Sequence, residues 1–330
     1  MIRILSGIRP SGRLHLGNYL GAIKNWIELQ NKENVEFSVF MIADYHAITT
    51  PFEPKSFQDQ VLDTAREYLA AGINPDKALL IRQSKIPQHT ELAWIFNTIT
   101  PVSWLDRLPT YREKLEENPK YHNLGLLAYP VLMAADILIY KANLVPVGDD
   151  QLPHIDLTNE IVKKFNYMFG QTFEPVRPHL AEGARIMSLQ NPKKKMSKTG
   201  DEPIFLTDSA DQIREKIKKA VTDSGKEIEF KPDEKPAISN LITIYHLLAG
   251  VGGQKSGIRE IEEKYKGKSY VEFKNDLAEV IINFLKPFQE KYNELRKNND
   301  YVVSVLTKSE EKARMIAINT LKEIKEKLNL

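Results

Sequence analysis

The feature that most constrains this chain is a change of rhythm near residue 206. Before it, short apolar strands alternate with amphipathic helices; after it, strand signals stop. Residues 2–6 form an apolar strand that runs into a turn-rich loop, Gly7-Ile8-Arg9-Pro10-Ser11-Gly12. From Asn18 the pattern turns helical, with Leu20, Ile23 and Ile27 on one face. Residues 35–43 are almost wholly apolar, as a strand buried on both faces requires. A helix over residues 55–71 stops at Gly72, and short strands follow at 79–82 and 144–147, the latter leading into a helix over about 155–165. Such β-then-α units predict an α/β fold with a doubly wound parallel sheet, Rossmann-like, over residues 1–205. Residues 210–222, 237–249, 258–265, 270–295 and 309–328 read as helices, the fourth interrupted by Pro287, which predicts an all-helical domain over 206–330. Two segments break the rhythm of the first half: a charged, aromatic and irregular insertion at about 100–125, and a lysine-bearing loop at 191–202.

Composition narrows the chemistry. The 330 residues include no cysteine, which excludes disulfides, thiol nucleophiles, iron–sulfur clusters and cysteine-ligated zinc. The seven histidines show no H-E-x-x-H spacing, so no resident metal site is expected. The formal net charge is only +2, so a polyanionic partner must be held by a local patch. The helical half carries the positive excess. The most apolar stretch, 124–140, contains Pro130 and Asp136 and is short for a membrane span, and the first six residues are too short for a secretory core. A cytoplasmic protein with no membrane contact is the expectation.

Five places carry chemistry. The strand–loop–helix at 2–30 offers unpaired backbone N–H groups at a helix start, an anion cradle, with Gly17 and Gly21 permitting close approach and His15 and Asn18 able to donate to phosphate oxygens; a plain βα turn reads the same way. In Lys195-Met196-Ser197-Lys198-Thr199 two ammonium groups three residues apart can reach one polyphosphate, whereas most lysine-rich loops are only solvated surface. Tyr129, Met133 and Asp136 share a helix face, so the carboxylate needs a partner: a donor of the protein itself or a ligand N–H. Gly148-Asp149-Asp150-Gln151 ends a strand at the edge where parallel sheets bind ligands, and Asp149 or Asp150 is equally suited to cap the next helix. Asp44-Tyr45-His46 ends another strand, with His46 either a ligand contact or a satisfied core histidine.

Taken in order, these segments resemble one family. Residues 6–22, SGIRPSGRLHLGNYLGA, resemble the first signature of class I aminoacyl-tRNA synthetases, with His15-Leu16-Gly17-Asn18 for His-Ile-Gly-His. Residues 195–199, KMSKT, resemble the second. Between and beyond them ADYHAIT, AYPVLMAADILIY, PVGDDQLPHIDLTNEI, ARIMSLQNPKKKMSK, AVTDSGK and AISNLITIY are similar to tryptophanyl-tRNA synthetases of the bacterial type. The resemblance implies a catalytic nucleotide-binding domain and a helical domain that reads the tRNA anticodon. It implies a homodimer that activates tryptophan with ATP and Mg²⁺ and transfers it to tRNA(Trp).

By the same resemblance Arg9, Pro10, Ser11, His15, Gly17 and Asn18 bind ATP, as do Gly148, Asp149 and Asp150, with Ile186 (and Met187) on adenine. Lys195, Met196, Ser197, Lys198 and Thr199 sit on the phosphates, the two lysines on the departing pyrophosphate; Lys114 reaches the γ-phosphate. Asp136 accepts the indole N–H; Tyr129, Met133, Val145 and Val147 wall the pocket, with Gly7, His46 and Gln151 beside the amino acid. Arg9 departs from the family's usual Gln, and its charge either strengthens ATP binding or pairs with a nearby acid. The absence of cysteine excludes the iron–sulfur variant. A tyrosyl-tRNA synthetase shares the signatures but differs from MAAD and GDDQ, and a non-aminoacylating RNA-binding paralogue has no use for Lys195 and Lys198 together.

Overall fold

The computed structural model describes residues 1–117, 120, 122–180, 186–197, 203–249 and 257–330. Lys198 and Thr199 lie outside them. The first elements in chain order are β1 (Ile2–Ile8), α1 (Leu16–Asn18), a π-helical turn (Tyr19–Ile23), α2 (Lys24–Leu29) and β2 (Val35–Ile42). Then come α3 (Asp44–Ala47), α4 (Pro54–Ala71), β3 (Leu79–Arg82), a 3-10 turn (Gln83–Lys85), α5 (Gln88–Ile99), α6 (Val102–Leu105), α7 (Pro109–Glu117) and α8 (Leu124–Ile139). They are followed by β4 (Leu144–Val147), a 3-10 turn (Asp149–Gln151), α9 (Leu152–Phe169), β5 (Arg177–Leu180) and α10 (Ala210–Lys219). The chain ends with α11 (Pro236–Leu248), α12 (Ile258–Tyr265), α13 (Tyr270–Arg296) and α14 (Asn299–Leu328). Two compact units result: Met1–Ser11, Asn25–Ala181 and Asn298–Leu330 form the first, Gly12–Lys24 and Glu182–Lys297 the second.

The first unit holds the sheet. Its strands run β3-β2-β1-β4-β5, every neighbouring pair parallel. The chain steps outward from β1 through β2 to β3, then returns to β4 on the far side of β1. In sheets of this kind ligands bind where the order reverses, which here is at the carboxyl ends of β1 and β4. Ile4, Leu5, Val39, Phe40, Met41, Ile42, Leu80, Ile81 and Val145 are all buried, as strands covered on both faces must be. Gly7 is dictated by strand spacing: a Cβ there would stand 2.6 Å from the Met41 carbonyl oxygen of β2.

Three expectations change on this frame. The helical half does not form one body from residue 206. Ala313, Ala317, Leu321 and Ile324 of α14 join the core of the sheet-bearing unit, because that helix packs along β3, one of the two edges of the sheet. The stretch at 100–125 is largely helical where described, with Pro109 opening α7 at a position that needs no N–H donor. Pro287 sits inside α13 without ending it; the buried stripe Phe273, Leu277, Ile281, Leu285 and Phe288 runs through it, so packing outweighs one lost backbone hydrogen bond. Edge strand β5, with Pro178, is polar and exposed and gave no strand signal.

The second unit is helical. Capping boxes Ser209/Gln212 and Ser269/Glu272 start α10 and α13. Tyr245, Tyr265 and Phe273 form an aromatic cluster joining α11, α12 and α13, and Tyr19 meets Phe284 edge-on at 5.2 Å. Among the described residues no helix is long and apolar enough to cross a membrane.

Candidate active site

The sheet-bearing unit contains a buried carboxylate with all of its acceptor capacity engaged. Asp136 on α8 is 1 % exposed. Its Oδ1 accepts from Gln83 Nε2 at 2.8 Å and from His89 Nδ1 at 2.6 Å; its Oδ2 accepts from Gln83 Nε2 at 2.9 Å and from His46 Nε2 at 2.7 Å. Burial alone would raise this carboxyl, but the charge and hydrogen bonds of His46 and His89 outweigh it and hold the pKa below 3.8. His89 Nε2 meets the Tyr140 hydroxyl at 2.8 Å, so its ring is oriented from both ends. Gln83 is equally committed: its Oε1 accepts from the backbone N–H of Tyr45 (3.1 Å) and of His46 (3.4 Å). The turn carrying His46 is thus tied to the acid it touches. Behind it, Asp44 accepts from the Ser84 N–H at 2.8 Å and from the Ser84 hydroxyl, and burial pushes the Asp44 carboxyl up against those bonds.

The four residues expected to wall the pocket lie in the same unit as this acid. Tyr129, Met133, Val145 and Val147 belong with the core cluster of the unit, Tyr129 and Met133 on the α8 face of Asp136 and the valines two residues apart on β4. His46 stands edge-on to Tyr129 at 6.1 Å. The Tyr129 hydroxyl sits between Thr110 Oγ1 (3.0 Å) and His154 Nε2 (2.8 Å). Burial, aided by the charge of His46, drops the His154 pKa to about 4, so it is neutral at pH 7. Its Nδ1 has no hydrogen-bond partner among the described residues. Arg9 is close enough for its charge to favour the Tyr129 phenolate, although burial dominates and the phenol pKa is raised.

The carboxyl ends of β1 and β4 hold the next group. Gly7 lies near the end of β1 and Arg9 follows it; Pro10 is buried and Ser11 exposed. Gly148, Asp149 and Asp150 are exposed, with Gln151 Nε2 donating to Asp150 Oδ2 at 2.8 Å. Neither aspartate caps α9: Gln151 occupies the cap position and makes no side-chain cap bond. Lys114 lies on α7, and nothing is described of its side chain.

In the second unit the two signature segments come together. His15 N-caps α1 with a reciprocal box: its Nδ1 accepts from the Asn18 N–H (3.3 Å) and Asn18 Oδ1 accepts from the His15 N–H (3.1 Å). A neutral His15 accepting at Nδ1 carries its proton on Nε2, a donor suited to a phosphate oxygen. A Cβ on Gly17 would stand 3.1 Å from the His15 ring and 3.6 Å from Met196 Cβ. Leu16 N donates to Ile204 O and Leu206 N to Leu14 O, pairing the histidine segment with the chain just after the lysine loop. Asp208, fully buried, holds that chain through Phe205 N, Lys216 and Arg13. On the other side of the loop Met196 N donates to Ile186 O and Ser188 N to Lys194 O, with Met187 and Lys195 bridged. Ile186 and Met196 are buried, whereas Lys195 and Ser197 are exposed. Asn240 brackets the Met187 backbone, accepting from its N–H (2.9 Å) and donating to its carbonyl (3.0 Å).

Gln83, His89, Thr110, His154, Asp208 and Asn240 escaped the sequence reading. For Gln83 a signal existed, since it follows the carboxyl end of β3 as Asp44 follows β2 and Gly148 follows β4.

The chain is similar to known proteins over nearly its whole length. The family model for class I tRNA synthetases (W and Y) matches residues 1–286. The chain is 43% identical over 328 residues to a tryptophan–tRNA ligase of Rickettsia conorii, covering 98% of this chain and 97% of that one. It is 43% identical over 332 residues to a tryptophan–tRNA ligase of Helicobacter pylori J99, covering 99% and 98%. Among solved structures, the tryptophanyl-tRNA synthetase of Mycoplasma pneumoniae superimposes with a TM-score of 0.90 at 32% identity over 100% of this chain and 98% of that one. The Campylobacter jejuni enzyme complexed with ADP and tryptophan gives 0.85 at 33%, covering all of both chains.

Proposed function

From the premise that this chain belongs to the class I tRNA synthetases for tryptophan and tyrosine, and is within them a tryptophan–tRNA ligase of the bacterial type, we propose how its residues divide the reaction. In the first step a tryptophan carboxylate oxygen bonds to the α-phosphorus of ATP, the bond to the bridging oxygen breaks, and pyrophosphate leaves. In the second a terminal adenosine hydroxyl of tRNA(Trp) attacks the activated carbonyl, loses its proton and displaces AMP. The first nucleophile is anionic at neutral pH, so the protein contributes positioning and charge stabilisation, with no strong base required.

Tryptophan lies against Tyr129, Met133, Val145 and Val147, flanked by Gly7 and Gln151. Its indole N–H takes the place of His46 Nε2 on Asp136 Oδ2. The observation that carries this is the geometry of Asp136: Gln83 and His89 are buried, while His46 is half-buried on a four-residue helix and is the donor best placed to yield. A ring without an N–H either leaves His46 in the way or leaves a buried acceptor unpaired.

ATP is held by Arg9, Pro10, Ser11, His15, Gly17 and Asn18, with Gly148, Asp149 and Asp150 at the ribose and Ile186 and Met187 at adenine. Lys195 and Lys198, with Met196, Ser197 and Thr199 between and after them, stabilise the pyrophosphate, joined by Lys114. Mg²⁺ arrives on the ATP phosphates and neutralises part of their charge. Helices α10 to α13 are assigned to the anticodon, and the working form is a cytoplasmic homodimer. Exchange of pyrophosphate into ATP, measured with each of the twenty amino acids, tests the amino-acid side. Tryptophan supports exchange, and phenylalanine falls behind by ~10⁴ or more. Comparable rates for the two would contradict the assignment of Asp136.

A further inference from the structure

Helix α14 lies some 230 positions along the chain from the turn after β3, yet it grips that turn on both sides. Glu310 is 4 % exposed. Its Oε1 accepts from Arg82 Nε (2.7 Å) and from the Arg82 backbone N–H (3.2 Å), and its Oε2 accepts from Arg82 Nη2 (2.9 Å). One helical turn on, Arg314 Nη2 donates to the Lys85 carbonyl oxygen at 2.8 Å. The two residues between these anchors are Gln83 and Ser84. Gln83 holds both oxygens of Asp136 and the N–H groups of Tyr45 and His46; Ser84 holds Asp44. The other polar ties of α14 to this unit, such as Lys141 to Glu323, Lys325 to Glu91 and Arg66 to Asn299, do not touch this turn.

We infer that Glu310 and Arg314 are positioning residues for tryptophan recognition: they fix the turn that presents Gln83 to Asp136. The acid's oxygens are aimed by Gln83, Gln83 is aimed by the backbone of residues 82–85, and that backbone is clamped at its N–H before and its C=O after by two side chains four residues apart on α14. The bidentate pairing of a guanidinium with a carboxylate fixes direction as well as distance. Covering an edge strand requires only an apolar stripe, and Ala313, Ala317, Leu321 and Ile324 already supply it. The clamp lies where an error of a fraction of an ångström propagates to the indole acceptor.

The inference rests on the reading of Asp136 as that acceptor, so three variants are measured together in pyrophosphate exchange: Glu310→Gln, Arg314→Ala and Asp136→Asn. Glu310→Gln is expected to raise the KM for tryptophan about tenfold and Arg314→Ala about threefold, with the KM for ATP unchanged and discrimination against phenylalanine reduced in the same order. A residue that merely held the fold would move both KM values together or neither. If Glu310→Gln fails to fold, Arg314→Ala, which loses only an open hydrogen bond, decides the matter. An unchanged KM for tryptophan in the folded α14 variants, or equal rises for tryptophan and ATP, overturns the inference while Asp136→Asn still loses selectivity. An Asp136→Asn enzyme that keeps its tryptophan KM and excludes phenylalanine takes both readings down.

Discussion

In the sheet-bearing unit, Asp136 is surrounded by donors that are themselves held: Gln83 by two backbone N–H groups, His89 by Tyr140, and Tyr129 beside it by Thr110 and His154. In the second unit, Lys195 and Ser197 are exposed on a segment steadied by a few backbone bonds at its root, through Ile186 and Met196. Under the proposed roles, the difference follows from what each region would recognise. A neutral aromatic ring with one N–H is told from its analogues only by a buried acceptor whose direction is fixed, because an unpaired group there is costly. A polyphosphate is recognised by charge, and the charge that matters appears as the leaving group departs, so exposed cations on a loop are the suitable device. On the proposed assignment, selectivity belongs to the buried region and rate to the exposed one.

The sharpest way to break that division is Asp136→Asn. It should lower kcat/KM for tryptophan by ~10³ or more and collapse the preference over phenylalanine, with kcat at saturating tryptophan much less affected. Paired Michaelis–Menten curves for both amino acids measure it. Lys198→Ala should do the opposite, costing ~10²–10³ in kcat with the KM for tryptophan unmoved. Near-normal pyrophosphate exchange in that variant would remove the lysine from its role.

A third test uses pH. The folded pKa of His154 is depressed from 6.5 to about 4, so its contribution to stability is complete above pH 6.5 and is lost as pH falls toward 4. The unfolded chain binds the extra proton across that window, and the loss amounts to about 3 kcal/mol. Urea melts at pH 7 and pH 4.5 should show it, and His154→Gln should flatten the profile over the same range. The smallest effect is expected from Gly17→Ala, whose new methyl presses on the His15 ring: about a tenfold rise in KM for ATP and none for tryptophan. Equal changes in both would mean that the two regions are not separable in this way.

Much of this was legible in the chain. The parallel sheet followed from apolar runs 35–43 and 79–82, and membership of the family from the signatures His15-Leu16-Gly17-Asn18 and KMSKT. What was not legible depended on contacts distant in sequence. Gln83 and His89 reach Asp136 across 53 and 47 positions, and no spacing rule links them. Helix α14 looked like the last member of a helical half because its Ala313–Ala317–Leu321–Ile324 stripe says that it is buried but not against what. Pro287 looked like a break because the local cost of proline is visible in sequence and the packing that offsets it is not.

The most direct measurement replaces the indole N–H and little else. A tryptophan analogue with sulfur in place of the ring N–H keeps the shape of the side chain and removes the donor. In pyrophosphate exchange the wild-type chain should use it ~10³-fold or more less efficiently than tryptophan, and Asp136→Asn should narrow that gap sharply. Equal use of the two by the wild type would show that Asp136 does not read the indole.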